Sequence, residues 1–453
     1  MDRASEEEGR YEGVPITVLL TNTNWWPCSA HVAIALAGAG VRVAAVYPRR
    51  GHPLAKTSAV SQRFFYRPIR PMRSLAEAIE GSSADLVLPF DDRAVSHLHR
   101  LHSQAVTNGE SGKRLAHLIE RSLGAPAAFP VVSSRFALLR QARAEGIPVP
   151  EMFEVSSPED LRRWSVTQEF PWVMKTDGSW GGLGVKVVRS LKEAEACFHR
   201  MDEPLGTLAM LKRLFINRDP FWVESWWRGL RPAIIAQSRI DGRPANCVVF
   251  CWRGKVLAGI AVEVVAAQGV MGPATIVRIV GERQMLSAAE ALARRLNLSG
   301  FHGLDFMIEN KTGTAYLVEL NPRCAMPCHL RFGQGRDLIG RLCSELSGLP
   351  PNQARFVPDS DIVSYFPQAW LSDPTSEALR SGYHDVPWGE PDLLRELMLI
   401  PWPDRSFLAR LSDRFRHMTL AERSARRCVF QSGPAPDGLG ASANGEVCHG
   451  EVL

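Results

Sequence analysis

The sequence predicts a mixed α/β and α+β chain: an N-terminal parallel α/β unit, then an α+β region of two subdomains, then a C-terminal appendage. Three observations carry that prediction. Apolar runs near the N-terminus end in polar loops and alternate with helical stretches. A glycine-rich turn joins two β-rich runs within residues 170–188. A hairpin pattern at 303–323 carries two carboxylates, an amide and an arginine. The 453 residues leave room for two to four domains, and 45% apolar against 22% charged residues excludes a chain disordered throughout.

The first unit is read over 1–128. The run VPITVLL (14–20) ends at TNTN, and LAGAGVRVAAVYP has the order helix end, glycine, strand. ADLVLPFDD (84–92) repeats the pattern, a buried type of strand closed by two aspartates. In such a sheet, ligands meet the loops after the strand C-termini, so Asn22–Ser29 and Asp91–Arg93 are candidate ligand-facing positions. Neither strand is followed by G-x-G-x-x-G, so no dinucleotide fingerprint is present.

In SSRFALLRQARAEGIPVPE, Ser133 or Ser134 caps a helix that Gly146, Pro148 and Pro150 stop. SPEDLRRW repeats the start signal, with Ser157 ahead of Pro158 and the acids Glu159 and Asp160. Strands and turns are expected from Phe170 to about Arg278, a helix over 282–297, and a strand–turn–strand over 301–321. Residues 351–430 read as a mixed appendage with an Arg-rich helix, and 431–453 as a disordered tail rich in Gly, Ala and Ser.

The charge balance does not support a general nucleic-acid surface, and leaves such a role only to residues 405–427 as an alternative. Lys and Arg number 53 against 48 acids, a net of +5. Between Arg405 and Arg427 there are seven Arg and two acids, so that one segment accounts for the whole excess. The acidic start MDRASEEEGRYEG lacks the pattern of a signal peptide, and no apolar run reaches the roughly 18–20 residues of a membrane span. The nine cysteines, odd in number and scattered, fit a reducing cytoplasm. Cys247 and Cys251 are four apart, as are Cys324 and Cys328. No histidine or carboxylate completes a zinc site at useful spacing, so these cysteines read as structural. His97, His99 and His102 show no catalytic spacing and read as exposed helix residues.

The chemistry concentrates in GLDFMIENKTGTAYLVELNPR (303–323). A hairpin turning near residue 312 sets Asp305 opposite Glu319, and Glu319 and Asn321 share a face because they are two apart on a strand. Three hard oxygen donors on one surface suit Mg²⁺ whose shell nucleotide phosphates complete. Pro322 ends the ladder and Arg323 sets a fixed cation beside it. The bland alternative is a polar, solvated hairpin. In FPWVMKTDGSWGGLGVKVV (170–188), Gly178, Gly181, Gly182 and Gly184 let backbone N–H groups approach an anion, and Lys175 precedes the turn. This is no Walker loop, because it joins strands and has no G-K-[ST]. A merely flexible turn is the alternative.

Together the two segments, their order and spacing resemble the ATP-grasp superfamily over roughly 129–350, with subdomains 129–224 and 225–350. The resemblance implies ATP bound between two α+β subdomains and Mg²⁺, or Mn²⁺, held by Asp305, Glu319 and Asn321. It gives Lys175 and Arg135 to the phosphates, Gly178, Ser179, Gly181, Gly182 and Gly184 to the phosphate loop, and Met307 and Glu224 to the adenine. VESWWRGLRP (223–232) then corresponds to the hinge strand, with Trp226 and Trp227 in packing roles. Where many members carry a second Glu for ribose, this chain has Arg231. The ending N-P-R is similar to that of carbamoyl-phosphate synthase large chains and biotin carboxylases, and implies that Arg323 stabilises charge on the phosphorylated intermediate. The N-terminal unit resembles their pre-ATP-grasp domain.

The implied activity is a carboxylate–amine ligase that forms an acyl phosphate and releases ADP and phosphate. Carbamate or bicarbonate phosphorylation and an ATP sensor without turnover are the alternatives. Arg278, Glu263, Asp91 and Asp92 are the candidate contacts to the small-molecule carboxylate and amine. No nucleic-acid or membrane partner is expected, and a homodimer is compatible with the sequence.

Overall fold

The computed structural model describes residues 16–48, 51–177, 184–203, 227, 231, 233–269, 272–333, 335–349 and 360–399. The Arg-rich segment 405–427 and the tail lie outside them, as do Gly178, Ser179, Gly181, Gly182, Glu224 and Trp226.

The chain begins as the alternating pattern requires. β1 (Thr17–Thr21), α1 (Cys28–Gly38), β2 (Arg42–Tyr47), β3 (Val60–Phe65), α2 (Pro71–Ser82), β4 (Leu86–Pro89), α3 (Asp92–Ala105) and α4 (Gly109–Leu123) follow in order. The four strands form a parallel sheet ordered β3-β2-β1-β4. Every residue of β1 and β4 is buried, because helices cover both faces. The order reverses between β1 and β4, so the loops after these two strands flank the crevice of the sheet. Asp91 joins them: its carboxylate accepts from Thr23 N and Oγ1, both at 2.7 Å, and from Ala94 N at 2.8 Å as the N-cap of α3.

α3 departs from the sequence reading. His97 and His102 are buried rather than exposed, and His99 is half-buried with its ring stacked on Phe129 at 4.0 Å. Tyr66 Oη meets His97 Nε2 at 2.9 Å, and Glu120 meets His102 Nε2 at 2.8 Å. These partners come from β-strand ends and from α4, so spacing within α3 gives no hint of them.

After α5 (Phe129–Val132) and α6 (Arg135–Ala144), a small antiparallel sheet forms from β5 (Met152–Val155), β6 (Trp172–Thr176), β7 (Val185–Val188) and β8 (Ile234–Ser238), ordered β5-β8-β6-β7. α7 (Pro158–Ser165) and α8 (Leu191–Asp202) pack on it around Trp164, Trp172 and Phe198. Ser157 and Asp160 close a capping box on α7, as the S-P-E-D pattern predicts. α8 interrupts a stretch expected to be dominated by strands and turns: Ser190 caps it and Glu193 sits in its first turn, a start signal present in the sequence.

The third sheet has seven strands, ordered β13-β12-β9-β10-β11-β14-β15, antiparallel except for the last pair. They are β9 (Gly242–Trp252), β10 (Lys255–Ala267), β11 (Ala274–Val280), β12 (Gly300–Glu309), β13 (Ala315–Asn321), β14 (Ile362–Tyr365) and β15 (Tyr383–Asp385). Helix Arg283–Leu296, close to the expected 282–297, covers one face together with α6. The other face shares its core with β1, β2, α1 and helix Leu338–Ser347. No helix among the described residues is long and apolar enough to cross a membrane.

The end of α4 and the start of β12 form the seam between the parallel sheet's unit and the seven-stranded sheet. Ala125 N donates to Asn297 O at 3.1 Å and Ser299 N to Leu123 O at 3.3 Å. Gly300 takes φ +83°, and a Cβ there would stand 2.3 Å from Ser122 O. Gly313, at the β12–β13 turn, has φ +72° with open space around it. Gly300→Ala therefore adds a backbone clash to the left-handed strain both sites share. It is expected to lower stability by roughly 2–4 kcal/mol, and Gly313→Ala by about 1 kcal/mol, in urea unfolding.

Candidate active site

The hairpin β12–β13 carries the acidic residues. Asp305 and Glu319 are Cα partners, as the spacing predicts, but by an unforeseen route. Ile308 pairs with Ala315 and Phe306 with Leu317; Asp305 then pairs with Glu319, so Val318 is left over as a bulge. Ala315, Leu317 and Phe306 all point into the core under helix Arg283–Leu296. Unbroken alternation would send Glu319 and Asn321 there too. The bulge turns them to the opposite face, beside Asp305.

Asp305 Oδ2 accepts from Asn321 Nδ2 at 3.1 Å, and Asp305 Oδ1 accepts from Asn246 Nδ2 on the neighbouring strand β9. Burial, and then the charge of Glu319, push the Asp305 carboxyl up to about 6. Sequence reading missed Asn246; the one available signal was a lone amide in the otherwise apolar run of β9. Met307, two past Asp305, lies on the same face and is half-buried.

Two buried cations reach this hairpin from other elements. Arg135 is the first residue of α6, whose N-cap Ser134 accepts from Ala137 N at 3.3 Å. Its Nη2 donates to Glu319 Oε1 at 2.6 Å and its Nη1 to Thr176 O at 2.9 Å, with Asp177 Oδ1 at 3.5 Å. Asp177, also missed in the sequence, is pushed up chiefly by burial. Lys175 comes from β6 of the small sheet, and its Nζ reaches Val318 O at 3.5 Å. Burial first, and Arg135 after it, pull the Lys175 amine down to about 8 against the opposing pull of Glu319 and Asp305. Thr176 N donates to Gly184 O at 3.1 Å, closing the base of the glycine-rich turn.

Arg323 lies at the exit of β13. Its Nε donates to Asp92 Oδ1 at 2.9 Å and its Nη2 to Asn321 Oδ1 at 3.2 Å. Cys324 N donates to Pro89 O at 2.9 Å, which docks this exit on the end of β4. Of the two aspartates expected to meet substrate, Asp91 has its oxygens occupied by Thr23, Asn24 and Ala94. Asp92 is paired with Arg323.

The structure does not bring Glu263 or Arg278 to this cluster. They are Cα partners of each other, and Glu263 pairs with Ala245, which pairs with Phe306. All four share the face opposite Asp305. Glu263 forms an ion pair with Arg243 at 2.8 Å, and exposed Arg278 faces Asp361 at 3.9 Å. Arg231 is tied to Asp202 of α8, and Trp227 is exposed rather than packed.

The arrangement sets hard oxygen donors and three cations together where the small sheet reaches the β12–β13 hairpin. Asp305, Glu319 and Asn321 can hold a divalent cation, and the raised Asp305 carboxyl facing Glu319 is a charge excess that such an ion relieves.

Against known proteins, residues 132–327 match the family described as ATP-grasp domain. Solved structures share the fold at low identity. An ADP complex of N5-carboxyaminoimidazole ribonucleotide synthetase is 18% identical at TM-score 0.52, covering 76% of this chain and 80% of that one. The same synthetase from Thermus thermophilus is 16% identical at TM-score 0.51, covering 75% and 80%. The biotin carboxylase domain dimer of Hydrogenobacter thermophilus 2-oxoglutarate carboxylase, with MgADP and bicarbonate, is 14% identical at TM-score 0.52, covering 75% and 71%. No curated protein sequence matches the chain.

Lys175 gives the cleft a pH signature. Below pH 8 both folded and unfolded chains hold its proton; between about 8 and 10.5 only the unfolded chain does. Stability of the nucleotide-free protein is therefore expected to rise across that window by about 1–3 kcal/mol, and Lys175→Met to remove this rise, in denaturant titrations at stepped pH.

Proposed function

Residues 132–327 form an ATP-grasp domain, and from that premise we propose that the chain is a ligase that uses ATP and Mg²⁺ to join a small-molecule carboxylate to an amine. One observation supports this above the others. Two facing carboxylates, Asp305 and Glu319, meet two buried cations, Arg135 and Lys175, where the small sheet reaches the hairpin of the large one. That is an arrangement for polyphosphate with its metal.

Asp305, Glu319 and Asn321 would hold Mg²⁺, with Mn²⁺ as a substitute of the same donor preference. Bound there, the ion supplies charge neutralisation to the phosphates. Arg135 then exchanges part of its hold on Glu319 for phosphate oxygens. Lys175, with its amine drawn down to about 8, takes up a proton as the anion arrives. The phosphate loop, Gly178, Ser179, Gly181, Gly182 and Gly184, supplies backbone N–H groups. Met307 would lie along the adenine, and the family resemblance assigns its edge to Glu224, outside the described residues.

The γ-phosphoryl group passes to a carboxylate oxygen of the acid; the bond to the bridging oxygen breaks and ADP leaves. Arg323, half-buried and held by Asp92 and Asn321, would face the charge that gathers on the acyl phosphate. The amine nitrogen bonds to the acyl carbon, phosphate departs, and the amine gives up a proton. Little covalent chemistry is asked of the side chains; positioning and fixed charge carry the reaction.

The test is release of ADP and phosphate across a grid of acids and amines, bicarbonate included because the 14%-identical carboxylase domain was solved with it. Turnover dependent on one acid and one amine is expected, with Glu319→Gln lowering it at least ~100-fold. AMP and pyrophosphate as products would sink the acyl-phosphate route. Tight ATP binding with no turnover on any pair would make the chain a sensor. Independently, calorimetry of ATP binding at pH 8.5 in buffers of differing ionisation heat is expected to show net proton uptake that Lys175→Met abolishes.

A further inference from the structure

Outside the cleft, a second cluster of donors lies in the core. His31 on α1, His329 in the segment after β13 and Asp385 at the end of β15 are each less than a tenth exposed. They are far apart in sequence and converge on one carboxylate oxygen. His31 Nδ1 is 3.5 Å and His329 Nε2 2.9 Å from Asp385 Oδ2. The three donor atoms lie within 4.8 Å of one another, and the two rings are tilted by 46° with centroids 5.0 Å apart.

We propose that His31, His329 and Asp385 hold a structural divalent transition metal of the zinc class. Two nitrogens and one carboxylate oxygen are a donor set that zinc takes readily. Tetrahedral bonds of ~2.0–2.1 Å put neighbouring donors about 3.3–3.4 Å apart, between the two separations seen here. The donors are closed off from solvent, as in a structural site. Softer donors adjoin them: Cys28 is one turn before His31 on α1, Cys328 directly precedes His329, and both thiols are buried against each other. Neither thiol joins the group within 4.8 Å, so the three donors carry the site and the fourth position is left to a water or to a thiol turned toward the ion.

The sequence reading found no histidine or carboxylate completing a zinc site at useful spacing beside the paired cysteines, and the three donors meet only through the fold. C-x-x-H on α1 and C-x-x-x-C-H at 324–329 are visible, but nothing local indicates that they meet Asp385. The consequence bears on the cleft. Arg323 and His329 belong to one short segment, so an ion here fastens that segment to α1 and β15 and fixes the backbone from which Arg323 reaches Asp92. A metal-free hydrogen-bonded cluster around Asp385 is the competing arrangement.

Metal content of the full chain, freed of any affinity tag, decides between them. About one zinc ion per chain is expected after desalting. Chelator-stripped protein should take up Co²⁺ with the intense visible bands of four-coordinate cobalt, and zinc should restore its melting temperature. His329→Gln and Asp385→Asn should each lose the ion, whereas Glu319→Gln should retain it. Loss in Glu319→Gln would move the ion to the hairpin carboxylates and overturn the assignment. Wild-type protein that retains no zinc, gives no cobalt bands and melts the same with either metal would also overturn it, leaving the hydrogen-bonded cluster.

Discussion

Val318 stands unpaired between the partners of Asp305 and Phe306, and at that point β13 changes face relative to its own first half. Before it, Ala315 and Leu317 fill the core beneath helix Arg283–Leu296; after it, Glu319 and Asn321 face the cleft. Two carboxylates thereby meet on adjacent strands in a partly buried place, an arrangement that repels itself. The surrounding side chains answer that repulsion. Asn246 and Asn321 donate to Asp305, Arg135 pairs with Glu319, and Lys175 rests on the carbonyl of the bulged residue itself. Were the bulge absent, Asp305 would face Val318, and Glu319 would turn toward the core, leaving Arg135 with Asp177 alone.

The same irregularity settles how the parallel sheet's unit joins the cleft. Because Asn321 points toward Asp305, Arg323 leaves the strand able to bridge Asn321 and Asp92. Asp92 opens α3 and Asp91 caps it while holding Thr23, so the ends of β1 and β4 are tied to the exit of the hairpin. The two aspartates that end the β4 run thus act chiefly on protein groups. Their acidity fixes the crevice at the strand ends and holds the guanidinium of Arg323 in place there.

Much of this was legible where the determinants are local. The capping box at Ser157, the helix near 283–296, the strand–loop–helix grammar of the first unit and the facing of Asp305 and Glu319 all follow from short-range pattern. Even that last success depended on a bulge the pattern did not reveal: pairs from 308 and 315 inward to 306 and 317 turn about a point half a residue before 312, and only the extra residue brings 305 to 319. What was not legible required partners distant in the chain. Asn246 became part of the cluster by strand order, the α3 histidines were buried by Tyr66, Glu120 and Phe129, and Glu263 and Arg278 were sent to the far face by register alone.

The two donor clusters differ in chemistry in a way that sorts their ions. The cleft offers carboxylate and amide oxygens, flanked by cations and open to a polyphosphate; that suits a hard ion which keeps several ligands from its substrate. The core offers two imidazoles, one carboxylate and adjacent thiols, closed to solvent; that suits an ion with borderline-soft preference and four fixed ligands. Donor type and access therefore act together. A magnesium ion gains little from buried imidazole nitrogens, and a zinc ion gains little from carboxylate and amide oxygens that leave most of its shell to phosphate and water. With both ions bound as proposed, one short segment would serve both places, Asn321 the hard ion and His329 the softer one.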